Sequence, residues 1–469
     1  MSFSTLFALG YYIVSAIALA HLFWLRKRPA ATLAWAWGIL LFPYLGALFY
    51  WGIGADRLRR KRLHRRAGFH SLWAGQPAVD DVSELPEEDA VFSRQISRLN
   101  DIPATQAAQA WLLPEANTFY DALCARIAAA RHHVHIQFFI WRADPTGDRL
   151  RDALLAAARR GVRVRVLLDE VGSVTLSARY FQPIVAAGGE FSWFLTINPR
   201  RHRYLFNLRN HRKLQIIDGR HAFVGGMNVG REYQGLDPAV GPWRDLQVEL
   251  EGPVARILQE SFADDWYFST GKKIGEPGYY PQTSAEAAWP ALVIAGGPDS
   301  PSSPMQKSLI AVINRARRRL WLATGYFVPN QATLIALQLC AARGVDVRLL
   351  ITEKTDHPAL LRIGRSFYDD LLSAGVRIFE YSPALHHTKA GVIDDEWLLV
   401  GSANIDNRSM HVNFELSVLL RMPPLVAALA GQLETDFAAC TEIDAVTFAR
   451  RPLREKIYES ICRPFAPLL

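Results

Sequence analysis

Cysteine is scarce in this chain of 469 residues. Its four cysteines (Cys124, Cys340, Cys440 and Cys462) form no Cys-x-x-Cys pair, which argues against a zinc site or a disulfide framework and fits a reducing compartment. The GxxxxGK[ST] phosphate loop is missing too, so no nucleotide energy source is apparent. Formal charge is absent from residues 3–25 and again from 29–55, and only Arg26, Lys27 and Arg28 separate the two runs.

Each uncharged run exceeds the roughly 20 apolar residues that a membrane-spanning helix needs, and the tight turn between them predicts a transmembrane hairpin. Tyr11, Tyr12, Trp24, Trp35, Trp37, Tyr50 and Trp51 supply residues suited to interfacial belts, and Pro43 is expected to kink the second span. A cleaved signal peptide ending near "AIALA" is the first rival. It lacks a basic n-region and is followed at once by a second apolar run. A pair of buried core helices is the second rival, and the uncharged length with basic flanks weighs against it. Beyond the second run, "DRLRRKRLHRR" makes residues 57–66 more basic than the first turn. The positive-inside bias therefore puts the N-terminus and everything after residue 57 in the cytoplasm. The same cluster can hold anionic headgroups at about 1 kcal/mol per basic residue.

The rest is long enough for more than one core, and half of all residues are hydrophobic. Lys plus Arg (53) exceeds Asp plus Glu (45), a net charge of +8 that suits an anionic partner, either nucleic acid or an anionic membrane surface. Residues 68–100 turn polar and acidic and read as a linker or peripheral layer. Helix and strand patterns then alternate, and they do so twice. "AARRGVRVRVLLDE" at Gly161 returns as "CAARGVDVRLLITE" at Gly344. This alternation predicts a mainly parallel sheet covered by helices in each of two repeats, with a boundary in the Gly/Pro/Ser-rich region 271–304.

Downstream of each phrase lies one longer motif, "NHRKLQIIDGRHAFVGGMN" and then "HHTKAGVIDDEWLLVGSAN". His211 aligns with His387, Lys213 with Lys389, Asp218 with Asp394, Gly225 with Gly401, Gly226 with Ser402 and Asn228 with Asn404. Two carboxylates also align, Asp245 in "RDLQVELEG" and Glu415 in "FELSVLLRM". On a strand, alternate side chains share a face, so each His and Lys are expected to point together. A histidine beside a fixed cation suits phosphate. The Gly225-Gly226 and Gly401-Ser402 turns are expected to bring backbone N–H groups to it, and Asn228 and Asn404 to donate to it. Each repeat offers half a cradle, closed by a pseudo-twofold.

Two histidines suit a two-step displacement at phosphorus. One attacks and forms a phosphohistidine, while the other protonates the leaving alcohol and then deprotonates the acceptor. A carboxylate on the far ring nitrogen would fix the tautomer. Asp245 and Glu415 are the candidates, with Glu232 in "GREY" the weaker alternative. Asp218 and Asp394 read better as braces of the loop than as substrate contacts. His202, His221, His386 and His411 read as ordinary core or surface histidines.

The paired motifs resemble the HKD signature of the phospholipase D superfamily. With the N-terminal hairpin, "GGMNVGREY", "GSANIDNRSM" and the ending "ICRPFAPLL", nearly the whole chain is similar to the bacterial cardiolipin synthases. The resemblance implies two phospholipase D-like α/β/α halves behind a transmembrane hairpin. It also implies transfer of a phosphatidyl group between two phosphatidylglycerol molecules, with release of glycerol and no metal or other cofactor. It carries catalytic roles onto His211, Lys213, Asp218, His387, Lys389 and Asp394, with His211 favoured as nucleophile. The expected parts are the hairpin (1–56), a basic juxtamembrane segment and linker (57–104), two halves (105–272 and 290–435) and a helical tail (436–469). Phosphatidylglycerol and anionic lipids are the expected partners, not nucleic acid. The rivals are a hydrolase that uses water as acceptor, a membrane-anchored nuclease and a catalytically silent scaffold. Intact duplicate motifs argue against the scaffold, and the placement of the densest basic run beside the second span argues against the nuclease.

Overall fold

Local chemistry sets the repeated helix–strand unit. Helix Pro145–Arg159 opens at Asp144, whose side chain accepts the Gly147 N–H at 2.9 Å, and Pro145 supplies the first turn. The chain then turns at Gly161 (φ 87°), a left-handed conformation open to glycine at no steric cost, and enters strand Arg163–Asp169. The second copy matches. Asn330 accepts the Thr333 N–H at 3.1 Å to cap helix Gln331–Ala342, Gly344 turns at φ 85°, and strand Asp346–Thr352 follows.

The computed structural model describes residues 2–25, 29–42, 44–51, 85–195, 208–281, 289–300, 303–355 and 358–468. They fall into two compact units, the N-terminal helices and the residues from 85 onward. The basic cluster 57–66, the basic turn 26–28, Pro43 and His202 lie outside the described residues.

In the larger unit the duplication is literal. The first sheet runs in the order Gln109–Leu113, Gln247–Glu251, His221–Gly225, Leu214–Ile217, His133–Phe138, Arg163–Asp169, Glu190–Phe194. The second runs Trp289–Gly296, Glu415–Arg421, Trp397–Gly401, Ala390–Ile393, Arg319–Thr324, Asp346–Thr352, Arg377–Tyr381, with Thr105–Ala107 and Cys440–Glu442 added at its edges. Register repeats as well, since Val134 faces Ile217 as Leu320 faces Ile393. The sheets are mixed and not mainly parallel. Only the three strands of the helix–strand units run parallel in each half. The motif strands pair antiparallel, because the two-strand stretch after each motif is joined by a short turn and needs no crossover helix.

Each half has its own apolar core, around Phe119, Phe138, Trp141 and Phe223 in the first and Leu322, Leu349, Tyr368 and Trp397 in the second. The stretch read as a linker contains a helix, Glu87–Asn100, whose Phe92 and Ile96 join the second core. The chain then gives Thr105–Ala107 to the second sheet and Gln109–Leu113 to the first.

Among the described residues of the N-terminal unit, one helix, Phe3–Trp24, has the length and apolarity to cross a membrane (Ser4–Trp24, mean hydropathy 1.9). The expected second span is not one continuous helix. Pro29–Leu41 has 13 residues, about 20 Å against a hydrocarbon core of roughly 30 Å. The backbone turns at Tyr44 (φ 59°) before Leu45–Phe49. Within this unit Ala18 and Leu22 pack with Ile39, Ala47 and Tyr50, and His21 Nδ1 meets the Tyr50 hydroxyl at 2.7 Å.

Candidate active site

Neither His-x-Lys motif lies on its strand. Both occupy the extended segment just before it, ahead of Leu214–Ile217 and Ala390–Ile393, and there each zips onto the other half. The His211 N–H donates to the Phe414 carbonyl (2.9 Å) and the Phe414 N–H to that of Arg209 (2.8 Å). In the second motif the His387 N–H donates to Arg244 (2.7 Å) and Leu385 to Pro242 (3.1 Å). Phe414 and Arg244 immediately precede Glu415 and Asp245. Backbone pairing between the halves therefore sets each histidine beside the other half's carboxylate.

The carboxylates complete that crossing. His211 Nδ1 lies 3.0 and 3.1 Å from the two Glu415 oxygens, and His387 Nδ1 lies 2.9 Å from Asp245 Oδ2. Burial alone would raise both acids. His387 and Lys389 more than offset it at Asp245, as His211, Lys213 and Ser402 do at Glu415, and both end below the usual range. Ionised carboxylates only accept, so Nδ1–H donates and Nε2 is the nitrogen left for chemistry. Burial holds His211 below its usual value against the pull of Glu415. Burial and Lys389 push His387 down to about 4 against Asp245. Before substrate arrives both rings are neutral at pH 7.

Lys213 and Lys389 are buried beside them, each donating to its own motif's histidine carbonyl, Lys213 at 2.8 Å. Burial pushes Lys213 down to about 7. Each lysine also depresses the histidine of the opposite motif, so four titrating groups share one field. Phe139 packs edge-on to His211 at 5.0 Å, and Trp243 packs on His387 at 5.1 Å.

Other predicted residues are placed differently. Asp218 and Asp394 sit at left-handed turns (φ 53° and 52°). Their carboxylates accept backbone N–H groups from Arg131, His132 and His133 and from Arg317, Arg318 and Arg319. They brace the start of a neighbouring strand and do not join the histidines. Asn228 is held by the Ile140 N–H and the Tyr233 hydroxyl, whereas buried Asn404 keeps its Oδ1 without a hydrogen-bond partner. The Gly226 and Ser402 N–H groups are spent on the Leu246 and Leu416 carbonyls, so they do not cradle an anion. Glu232 pairs with Arg142 at 2.9 Å, whereas the histidines take Glu415 and Asp245.

The mismatch between Gly226 and Ser402 is compensatory. Ser402 Oγ donates to Glu415 Oε2 (2.5 Å) and accepts the Leu416 N–H (3.0 Å). In the first half Asp245 Oδ1 itself accepts the equivalent Leu246 N–H (2.8 Å), and a Cβ at Gly226 would collide with that oxygen. The shorter acid takes the serine's place, and only glycine leaves room for it.

Residues 123–266 and 309–440 both match the family model described as "Cardiolipin synthase, PLD-like domain", and residues 13–54 match "Phospholipase D-nuclease N-terminal". The cardiolipin synthase of Geobacillus kaustophilus is 36% identical over 95% of this chain and 90% of its own length. Cardiolipin synthase A of Pseudomonas entomophila is 34% identical over 98% and 97%. The chain belongs to the cardiolipin synthase family. Among solved structures, the phosphatidylserine synthase of Haemophilus influenzae shares the fold (TM-score 0.61, 14% identity, 81% of this chain and 98% of that one).

Several residues of this cardiolipin synthase family site are not singled out by the sequence. Ser409 and Asn413 donate to Glu415 Oε1 at 2.9 and 3.3 Å. Arg212, between the motif's His and Lys, is buried and reaches three ways, to the Glu415 carbonyl (3.2 Å), Asp265 (2.8 Å) and the Gly296 carbonyl (3.1 Å). It staples the halves at the residue that orients His211. Its position inside the motif was visible, but its partners are distant in sequence.

Proposed function

We propose that this chain joins two phosphatidylglycerol molecules into cardiolipin and glycerol through a phosphohistidine. The crossed pairing of each histidine with the opposite half's carboxylate is the observation that carries this reading. In the first step His211 Nε2 attacks phosphorus, the bond from phosphorus to the glycerol oxygen breaks, and His387 gives that oxygen its proton. In the second step a hydroxyl of the incoming phosphatidylglycerol loses its proton to His387 and its oxygen attacks phosphorus. The P–N bond breaks, and both histidines return to their starting state. Glu415 stabilises the positive charge on the phosphorylated His211 ring, and Asp245 does the same for protonated His387. Lys213 and Lys389 balance the charge on the phosphoryl oxygens. The arriving phosphodiester supplies the negative charge that lets one of two neutral rings take up a proton. The test is to incubate the purified full-length protein with labelled phosphatidylglycerol. Cardiolipin and glycerol should appear in equal amounts. Phosphatidic acid as the main product would make water the acceptor instead, and no turnover would end the proposal.

The family is membrane-associated, and we further propose that residues 1–56 cross the membrane twice, with the catalytic halves on the cytoplasmic side. The two uncharged runs and the basic stretch at 57–66 support this. A cysteine placed at Ser71 should resist an impermeant thiol reagent until cells are permeabilised, and labelling in intact cells would reverse the topology.

A further inference from the structure

Helix Leu453–Cys462 turns its apolar residues outward. Leu453, Ile457 and Ile461 recur every four residues and are 71%, 50% and 63% exposed, with Tyr458 beside them and Val446 exposed on the preceding helix Ala445–Ala449. The opposite face is anchored. Buried Glu459 accepts from Arg451 at 2.7 Å, and Arg451 also holds Asp369 at 2.8 Å. Phe448 and Cys462 pack on the second core. The stripe is thus fixed in place and left exposed by the described residues.

Its border is basic. Arg450 and Arg454 are exposed, and Arg362 stacks over the Tyr458 ring at 5.1 Å. Of the nearby acids, Asp369 and Glu459 are engaged by Arg451 and Asp370 by Arg463, and Glu455, on the helix itself, is flanked in sequence by Arg454 and Lys456. An apolar stripe edged with arginine complements an anionic lipid surface. Its position points the same way. The helix packs against Pro358–Arg365, whose Leu360, Leu361 and Gly364 line a small cavity of about 10 Å³ together with Gly325 and Tyr326. Gly325 lies directly against His387 and Lys389, and the Tyr326 ring is 5.9 Å from His387.

We propose that the stripe of Leu453, Ile457 and Ile461 docks the catalytic body on the anionic bilayer that holds its substrate, so that lipid enters past Gly325 and Tyr326 on the His387 side. This deepens the phosphatidylglycerol reading and rests on it. In full-length protein whose four native cysteines are replaced by alanine, an environment-sensitive fluorophore on Ile457→Cys should be quenched by brominated lipids in phosphatidylglycerol-containing vesicles. Absence of quenching overturns the proposal whatever the enzyme turns over, whereas quenching without turnover of phosphatidylglycerol would sink the substrate reading alone. The triple variant Leu453→Glu/Ile457→Glu/Ile461→Glu should lose about tenfold or more in kcat/KM on vesicles, and under about twofold on short-chain phosphatidylglycerol kept monomeric. Equal loss on both substrates, or no loss on vesicles, refutes docking. Arg454→Glu, which spares the stripe, should raise KM on vesicles several-fold at low salt and converge with wild type at high salt. A detergent-solubilised wild type that sediments as a dimer, with the triple variant monomeric, would assign the stripe to a second copy and also overturn the proposal.

Discussion

Replacing Glu415 by glutamine exchanges one carboxylate oxygen for an NH2 group in a pocket already filled with donors. His211 Nδ1–H, the Ser402 and Ser409 hydroxyls and the Asn413 amide all point at that carboxylate. The new NH2 must face one of them, and the charge that stabilises a positive His211 ring disappears. A lost hydrogen bond to a charged group costs about 1.5–3 kcal/mol, or roughly 10- to 150-fold in rate. A ring left in the wrong tautomer extends the loss to about 10⁴-fold. Glu415→Gln should therefore lower kcat by about 10² to 10⁴, with KM within about threefold. Asp245→Asn should do the same on phosphatidylglycerol, because His387 then loses its orienting partner. The two variants separate on phosphatidyl-p-nitrophenol, whose leaving group needs no proton. With His211 as nucleophile, Asp245→Asn should release one equivalent of p-nitrophenolate within about tenfold of the wild-type rate and then stall. Glu415→Gln should give no such burst. The reverse pattern would make His387 the nucleophile. Bursts at wild-type rate in both variants would remove the carboxylates from the mechanism.

His211→Ala and His387→Ala should each abolish transfer while leaving the melting temperature within a few degrees of wild type, and retention of more than about a tenth of activity by either would defeat the two-histidine scheme. Lys213, held at about 7 before substrate binds, carries its charge below that pH and loses it above, so kcat/KM should fall on the alkaline side. In Lys213→Arg, whose charge does not titrate, the residual activity should keep its alkaline limb to higher pH, and an unmoved limb would assign it elsewhere. Asp218→Ala removes the acceptor of three backbone N–H groups at a left-handed residue. It should cost about 3 kcal/mol in denaturant unfolding, with kcat of the folded fraction within about threefold, and a selective loss of kcat would return Asp218 to the chemistry.

What the sequence discloses here follows from how information lies along a chain. The duplicated phrases at Gly161 and Gly344, the paired motifs and the aligned acids are local strings, so the duplication of the fold is legible in them. Sheet direction is hidden in the sequence because the helix–strand periodicity is loud. The "IIDG" and "VIDD" turns that double the chain back are short, and each adds antiparallel strands without a helix between them. The Gly225 and Gly401 turns suggested an anion cradle, but their conformation serves sheet pairing and close packing. Asn228 reads as a free donor in sequence and is tied down by Tyr233, a contact that depends on the loop's path. The apolar run at 29–55 has a span's composition, and its backbone breaks at Tyr44, next in sequence to the proline expected to kink it. The crossed assignment of Glu415 to His211 and Asp245 to His387 joins residues 204 and 142 positions apart, and no local pattern specifies which acid goes to which ring.

That crossing also bears on ancestry. A site in which each copy of a repeat completes the other's histidine is the site of a twofold dimer carried on a single strand of code. While two identical subunits make such a site, any change to one active-site position appears at both, and nucleophile and acid cannot be tuned apart. Fusion of the two genes lifts that constraint. The pairs Gly226 with Asp245 and Ser402 with Glu415, and Phe139 at one histidine against Gly325 at the other, are differences that only a fused pair can inherit. The first of these compensates within its own neighbourhood, so divergence there proceeds by a matched couple of residues. A lone half expressed by itself would inherit a histidine without its acid.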